Sequence, residues 1–295
     1  MRVTPTMITN RVLYDLNNRL TQMNRYQEQM SSGKRINRPS DDPGGVLIAL
    51  RYRAQLSEND QYKRNMDDAI AWLNTTDSAL REALNTLQRV QEIAVAGANS
   101  TLPSESMTAL AREVEQLKDH LGDIANTNYA GRYIFAGTNT LTPPYDRGTG
   151  TWNGTSDIFE YEVSPGVTVP VNVDGQAIFD SATLPKLFQV IDDLITNLQS
   201  GDVASISNTR LDEISQNIDN ILATLAEVGA RVNRLEMSKD RMEVLDFDLT
   251  NLLSKVEDTD MAEAVIKVRN QEYGYQATLA VAAGILQPSL VDFMK

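Results

Sequence analysis

The longest apolar repeat of the chain begins at Leu211 and advances in alternating steps of three and four residues. Its positions are Leu211, Ile214, Ile218, Ile221, Leu225, Val228, Val232 and Leu235, and the register resumes at Met242, Leu249, Leu253 and Val256. This spacing places the apolar side chains along one narrow face of a helix, which has to be buried against other helices. The repeat therefore predicts long helices packed side by side, although polar Lys239 and Asp246 interrupt it.

Two further repeats, in the first half of the chain, predict an antiparallel pair of helices. They run through Met66, Ile70, Leu73, Leu80, Leu84 and Leu87, and then through Leu110, Val114, Leu117, Leu121 and Ile124. Gly97 and Pro103 bracket the break between them, and these residue types are typical of the end of one helix and the start of the next.

Both ends of the chain carry thinner apolar seams, each with a polar residue in one slot. The first seam consists of Leu13, Leu16, Leu20, Met23 and Met30 around Gln27, and the last of Val265, Val268, Tyr275, Leu279, Ala282, Leu286 and Phe293 around Glu272. An isolated helix with such a seam is marginal in water. We therefore expect residues 1–40 and 258–295 to pair as a coiled coil.

Residues 133–180 differ from the rest because they are enriched in Gly, Pro and β-forming residues, with 6 of the 16 glycines and 4 of the 10 prolines. Alternating apolar runs on either side of Asp174-Gly175 predict a β-hairpin that turns at this dipeptide. Pro170 cannot donate a ladder hydrogen bond, which indicates an edge strand.

The predicted fold class is mainly α with a small β insert: an elongated, heptad-rich helical bundle with paired terminal helices. The predicted domains are the N-terminal coiled-coil helix 1–40, the first part of a helical middle domain 41–132, the inserted β domain 133–180, the second part of the middle domain 181–257, and the C-terminal coiled-coil helix 258–295.

The stretch SSGKRINRPSDDPGG, residues 31–45, could be a phosphate loop, a metal site or a plain joint between helices. It lacks the glycine spacing of phosphate loops, and a pair of adjacent carboxylates lacks a third metal ligand. Gly33 suits a helix end that Lys34 and Arg35 complement electrostatically, and Asp42-Pro43 suits a helix start to which Asp41 adds charge. We therefore predict an inter-domain joint formed by Gly33, Arg35, Ile36, Asn37, Pro39, Asp41, Asp42 and Pro43.

Residues suited to catalysis are scarce. The chain has no cysteine and a single histidine, His120, so neither a Cys-type zinc site nor a Cys-His pair can form. We predict no enzyme activity, no cofactor and no metal. The net charge of −13 argues against nucleic acid or an anionic membrane as the general partner.

Charge is unevenly distributed, since residues 1–65 carry 11 Lys and Arg against 6 Asp and Glu. This pattern fits either a basic helix beside an acidic body or a charge-complementary contact with another acidic segment. The N-terminus shows no signal-peptide pattern, so any export would need a route without a cleaved leader.

The joint also resembles the N-terminal signature of the flagellin superfamily. Met30 stands at its leucine position, and Ser31, Ser32 and Gly33, then Arg35-Ile36-Asn37, then Asp41-Asp42 match it. The opening MRVTPTMITNRVLYDL, the element YIFAGT at 133–138 and the ending QPSLVDFMK are similar to the hook-associated protein 3 (hook–filament junction) branch of that superfamily. The ending departs from the family at Phe293-Met294, where leucine-rich ends are commoner.

The resemblance implies a structural subunit of the bacterial flagellum, exported through the flagellar type III apparatus and located at the hook–filament junction. It implies hook-associated protein 1, flagellin, a flagellar export chaperone and further copies of the same chain, in a ring, as partners. Two alternatives stay open: a flagellin-type filament subunit and a secreted coiled-coil adhesin or effector. The assembly interface is predicted on the terminal helices, at Leu13, Leu16, Leu20, Met23, Met30, Val268, Tyr275, Leu279, Ala282, Leu286 and Phe293.

Overall fold

The computed structural model describes residues 5–99 and 103–286, and most of them are helical. This confirms the predicted fold class, mainly α with a small β part. The helices are α1 Pro5–Ser32, α2 Pro43–Gly97, α3 Ser104–Ala125, α4 Gly175–Phe179, α5 Leu187–Ser200, α6 Val203–Ser205, α7 Leu211–Glu257 and α8 Met261–Leu286, with a π-helical turn at Ile206–Arg210 before α7. Among these helices, none has both the length and the apolar character that crossing a membrane requires.

The β part consists of three two-stranded antiparallel ribbons, β1–β2, β3–β4 and β5–β6. Their strands are β1 Asn128–Tyr129, β2 Arg132–Tyr133, β3 Tyr145–Asp146, β4 Thr151–Trp152, β5 Glu160–Ser164 and β6 Val167–Pro170. Pro170 is the last residue of β6 and belongs to a two-stranded ribbon, in which every strand is an edge.

The predicted hairpin turn at Asp174-Gly175 is wrong. The ribbon β5–β6 turns earlier, after Ser164, where Gly166 adopts a φ of +70°. Asp174 instead caps helix α4, because its carboxylate accepts hydrogen bonds from the amides of Gln176 (2.9 Å) and Ala177 (3.2 Å). An aspartate before a glycine serves a helix start as well as a turn. Burial of the side chains at the end of α4 favours the helix.

The chain divides into two compact units. The terminal unit contains residues up to Glu58 and from Leu245 onward, and the middle unit contains Asn59–Val244. The division falls within α2 and α7. The predicted domain boundaries stay predictions.

The middle unit contains the main hydrophobic core. Helices α2 and α3 are antiparallel within it, as predicted, because Arg89 pairs with Glu113 (2.7 Å) and Glu82 with His120 (3.1 Å). Many of the seam side chains are completely or almost completely buried, among them Met66, Leu73, Leu80, Leu87, Leu121, Ile214 and Leu235, and several others are partly buried against them. Polar Lys239 interrupts the seam of α7 and forms an ion pair with Asp67 of α2 at 2.6 Å.

In the terminal unit, α1 and α8 pack against each other in antiparallel orientation, as predicted. The side chain of Gln271 donates to Gln22 (3.1 Å), and the ammonium group of Lys267 lies 5.8 Å from the centre of the Tyr26 ring. Few side chains are buried here, chiefly Ala264, Val268 and Ala282. The pair has a thin core, so packing contributes less stability than in the middle unit.

Candidate assembly interface and helix joint

The joint begins where α1 ends. Gly33 follows the last helical residue and adopts a φ of +71°, a left-handed conformation that favours glycine. The side-chain amide of Gln29 donates to the carbonyl of Arg35 at 2.8 Å, which holds the loop against the last turn of α1. The sequence prediction that α1 stops at Gly33 is therefore confirmed.

Helix α2 begins at Pro43, and Asp42 caps it as predicted. Its carboxylate accepts the Gly45 amide at 2.9 Å. This hydrogen bond, followed by the nearby Arg35 guanidinium, holds the pKa of Asp42 below its ordinary value. Desolvation raises the pKa of Asp42 but does not outweigh these two causes.

The role predicted for Asp41 at the start of α2 differs from what the structure shows. Its carboxylate turns back into the loop and accepts the amides of Asn37 (3.2 Å) and Arg38 (2.9 Å). A short carboxylate beside free loop amides forms a local turn of this kind because it satisfies donors that no helix or strand uses.

Lys34 and Arg35 do not complement the end of α1, which corrects the sequence prediction. The ammonium of Lys34 lies 2.7 Å from the carboxylate of Glu257, and the guanidinium of Arg35 donates to the carbonyl of Val256 at 2.8 Å. Both cations therefore complement the C-terminal end of α7, whose last carbonyls carry partial negative charge. Gly33 redirects the chain, so that the residues after it leave the axis of α1.

The joint and the turn between α7 and α8 are also bound through their backbones. The amide of Arg35 donates to the Glu257 carbonyl at 2.6 Å, and the amide of Thr259 donates to the Gly33 carbonyl at 3.0 Å. The side chain of Glu257 is only 7% exposed, and Arg53 of α2 forms a second ion pair with it. The joint and the α7–α8 turn, which are far apart in sequence, are thus held together around the buried carboxylate of Glu257.

Ile36 and Gly45 bring the joint onto α2. Ile36 is buried, and a Cβ atom at Gly45 would lie 2.6 Å from the end of the Ile36 side chain. Pro39 lies in the turn before Asp41. All the predicted joint residues lie inside the terminal unit, and their role as a joint between domains stays a prediction.

The predicted interface residues of α1 fall into two groups. Leu16, Met23 and Met30 are partly buried, whereas Leu13 and Leu20 are 53% and 39% exposed. The repeat that is actually shielded on α1 runs through Thr9, Val12, Leu16, Arg19, Met23, Tyr26 and Met30. Sequence reasoning missed this face because Arg19 and Tyr26 do not look like seam residues. Gly274 on α8 is a sequence signal for this face of α1. The Arg19 guanidinium packs against Gly274, where any side chain would collide with it.

On α8, the predicted residues are buried to different degrees. Val268 and Ala282 are buried, Tyr275 is partly buried, and Leu279 is 43% exposed. The side chain of Leu286 and the whole of Phe293 lie outside the described residues. Glu272, the polar residue in this seam, pairs with Arg269 one turn earlier at 3.1 Å.

Exposed apolar side chains are concentrated in the terminal unit and occur on all four of its helices. They are Met7, Ile8, Leu13, Tyr14, Leu20, Leu47, Ile48, Leu50, Leu245, Phe247, Leu252, Met261, Val265, Ile266, Tyr273, Leu279 and Val281. Large exposed apolar surfaces often mark sites that bind other proteins, so the terminal unit is the candidate interface.

The described residues contain no group of three or more His, Cys, Asp or Glu side chains placed to hold a metal ion. His120 is partly exposed and lies 3.1 Å from Glu82. The contact between His120 and Glu82 links α3 to α2, and the ionisable groups of the joint hold backbone segments together.

Comparisons with known proteins agree with this architecture. A family model described as the bacterial flagellin N-terminal helical region matches residues 3–140. The chain is 27% identical to flagellar hook-associated protein 3 of Escherichia coli K12 over 100% of both chains. It is 28% identical to a flagellin of Halalkalibacterium halodurans over 83% of this chain and 89% of that one.

The fold is shared with a solved flagellar hook-associated protein of Vibrio parahaemolyticus. The TM-score is 0.70 at 23% identity, covering 74% of this chain and 100% of that one. Together with the matched signature in the joint, these similarities relate the chain to flagellar proteins: the flagellin model matches its N-terminal part, and a hook-associated protein 3 is similar over its full length.

Proposed function

We propose that this protein is a structural subunit of the bacterial flagellum that joins the hook to the flagellin filament. In this role it binds hook-associated protein 1 on one side and flagellin on the other, and forms a ring with its own copies. It reaches this place by export through the flagellar type III apparatus with the help of a chaperone, and it carries out no catalysis.

The observation that supports the proposal most strongly is the exposed apolar surface of the terminal unit. Its helices bury few side chains among themselves and expose many, whereas the core lies in the middle unit. A subunit that completes its packing only in an assembly needs this distribution, because contacts with neighbours then supply the missing burial. The full-length similarity to hook-associated protein 3 supports the specific position in the flagellum.

Deletion of the gene tests the proposal. We expect non-motile cells that have complete hooks but no filaments, and we expect the intact gene to restore filaments. Electron microscopy of the cell surface gives the readout. Filaments of normal number on the deletion strain would contradict the junction role.

A point variant tests whether the terminal unit is the part that assembles. Leu279→Asp places a charge on an exposed apolar position of α8, so we expect the variant gene to fail to restore filaments. Leu141→Asp is the matched control, since Leu141 is 79% exposed in the middle unit. Because neither residue belongs to the core, thermal unfolding of the middle unit should be unchanged in both variants.

A filament subunit is the second candidate, favoured by the 28% identity to a flagellin. The two candidates differ in how far the purified protein polymerises. A junction subunit stops at short assemblies, whereas a filament subunit seeds and extends long filaments, which electron microscopy of the purified protein distinguishes.

A further inference from the structure

Two exposed stripes in the terminal unit have similar patterns of apolar side chains and opposite charges. On α2, Leu47, Leu50 and Ala54 surround Arg51 at helical spacing, and all four are exposed. Residues i, i+3, i+4 and i+7 lie on one face of a helix, so these side chains form one continuous surface. We name it the α2 stripe.

The second stripe lies on α7 and consists of Leu245, Asp248 and Leu252, all exposed. Their spacing of three and four residues again places them along one face, with the carboxylate between two leucines. We name it the α7 stripe. Among the described residues, neither Arg51 nor Asp248 has an ion pair or hydrogen bond.

The charges around the two stripes have opposite signs. Residues 43–57 include Arg51 and Arg53 and no carboxylate, whereas residues 245–252 include Asp246 and Asp248 and no cation. Arg53 is engaged by Glu257, which leaves Arg51 as the cation available at the surface of the α2 stripe.

We propose that the α2 stripe of one copy binds the α7 stripe of a second copy, with Arg51 facing Asp248 across the contact. The partner is a second copy because each copy carries both complementary halves. A symmetric contact of α2 with α2 would bring Arg51 against Arg51, which like-charge repulsion disfavours. In a ring the contact is head-to-tail, because each copy then offers its α2 stripe to one neighbour and its α7 stripe to the other, and such contacts propagate into rings or helical chains. It rests on the proposed function, since it supplies the contact between copies within the ring.

Cysteine crosslinking tests the contact in assembled flagella. The chain has no cysteine, so a pair introduced as Leu50→Cys and Leu245→Cys reports only on the proposed contact. After mild oxidation of isolated hook–filament structures, we expect a ladder of dimers, trimers and larger species, because each copy links to the next. Each single variant should stay monomeric. A double variant that stays monomeric, or a Leu50→Cys variant that dimerises alone, would overturn the proposal.

Charge reversal provides an independent test in cells. Arg51→Glu and Asp248→Arg each replace an attraction by a repulsion, and each should weaken the contact about tenfold and reduce filament number. When both variants are expressed together in the deletion strain, every contact between alternating copies is again of opposite sign, so filaments should return. Arg112→Glu, an exposed reversal on α3, is the control and should have no effect. Failure of the mixture to restore filaments would contradict the pairing.

The two hypotheses fail in different ways. If deletion of the gene leaves filaments intact, the junction role fails whatever the crosslinks show. If deletion removes the filaments but the double-cysteine chain forms no ladder, the junction role stands and the stripe contact alone is wrong.

Discussion

Replacement of Glu257 by glutamine should loosen the contact between the joint and the α7–α8 turn. The carboxylate of Glu257 is nearly buried and interacts with Lys34 and Arg53, whereas these two cations are 43% and 46% exposed. Breaking a fully buried ion pair costs about 3–5 kcal/mol because a charge is stranded without water. Here the cations regain water, and glutamine keeps the shape and one acceptor. We therefore expect a loss of about 1–2 kcal/mol.

The loss should be local and visible in amide hydrogen exchange. The amides of Arg35 and Thr259 donate across the two segments that Glu257 holds together. A change of about 1–2 kcal/mol corresponds to exchange that is about 5- to 30-fold faster at these two amides. Amides in the core of the middle unit, for example on the α2 turn that contains Leu80, should exchange at the original rate.

Glu263→Gln is the control for Glu257→Gln. Glu263 forms an exposed ion pair with Lys267 four residues later on α8, and such pairs contribute less than about 0.5 kcal/mol. We expect no measurable change at Arg35 or Thr259 in this variant. If Glu257→Gln also left these amides unchanged, or accelerated exchange equally throughout the middle unit, the buried carboxylate would not be what joins the two segments.

Two further substitutions test the local chemistry of each unit. The pKa of Asp42 is lowered by the Gly45 amide and by Arg35, so its contribution to stability is complete above its ordinary value of 3.8 and is lost as the pH falls through the lowered value. Asp42→Asn keeps a cap but cannot titrate, so thermal unfolding should resemble the original protein above pH 5 and depend less on pH below about 4. In the middle unit, a Cβ atom at Gly175 would collide with the backbone carbonyl of Phe135. Gly175→Ala should therefore lower the free energy of unfolding by about 1–3 kcal/mol in urea, although alanine favours helices, and unchanged stability would contradict this.

The long helices and the pairing of neighbouring helices could be predicted from the sequence. Burial of one helix face requires apolar residues at steps of three and four, and this repeat remains recognisable when a single position is polar. The seam of α7 tolerates Lys239 because Asp67 lies opposite it, and the ion pair lets the helix continue. The same reasoning predicted the end of α1 at Gly33 and the start of α2 at Pro43, since stop and start signals act over a few residues.

Partners that are distant in sequence could not be predicted. Sequence position places Lys34 and Arg35 beside the end of α1, yet they bind the end of α7 more than 200 residues away. The dipeptide Asp174-Gly175 predicts a turn, although the following residues are buried in a short helix. In both cases the local signal is compatible with two structures, and tertiary contacts decide between them.

The apolar repeat that the sequence predicts on α1 differs from the repeat that the chain shields, and this difference bears on assembly. Two repeats overlap on it, and they share Leu16, Met23 and Met30. The more apolar one continues through Leu13 and Leu20 and stays largely exposed, whereas the one that contains Arg19 and Tyr26 is shielded within the chain. A helix that turns its more polar seam inward and keeps leucines outside gains little stability from its own chain. We therefore propose that the exposed leucines pack against a neighbouring subunit, which would add the burial that the isolated chain lacks.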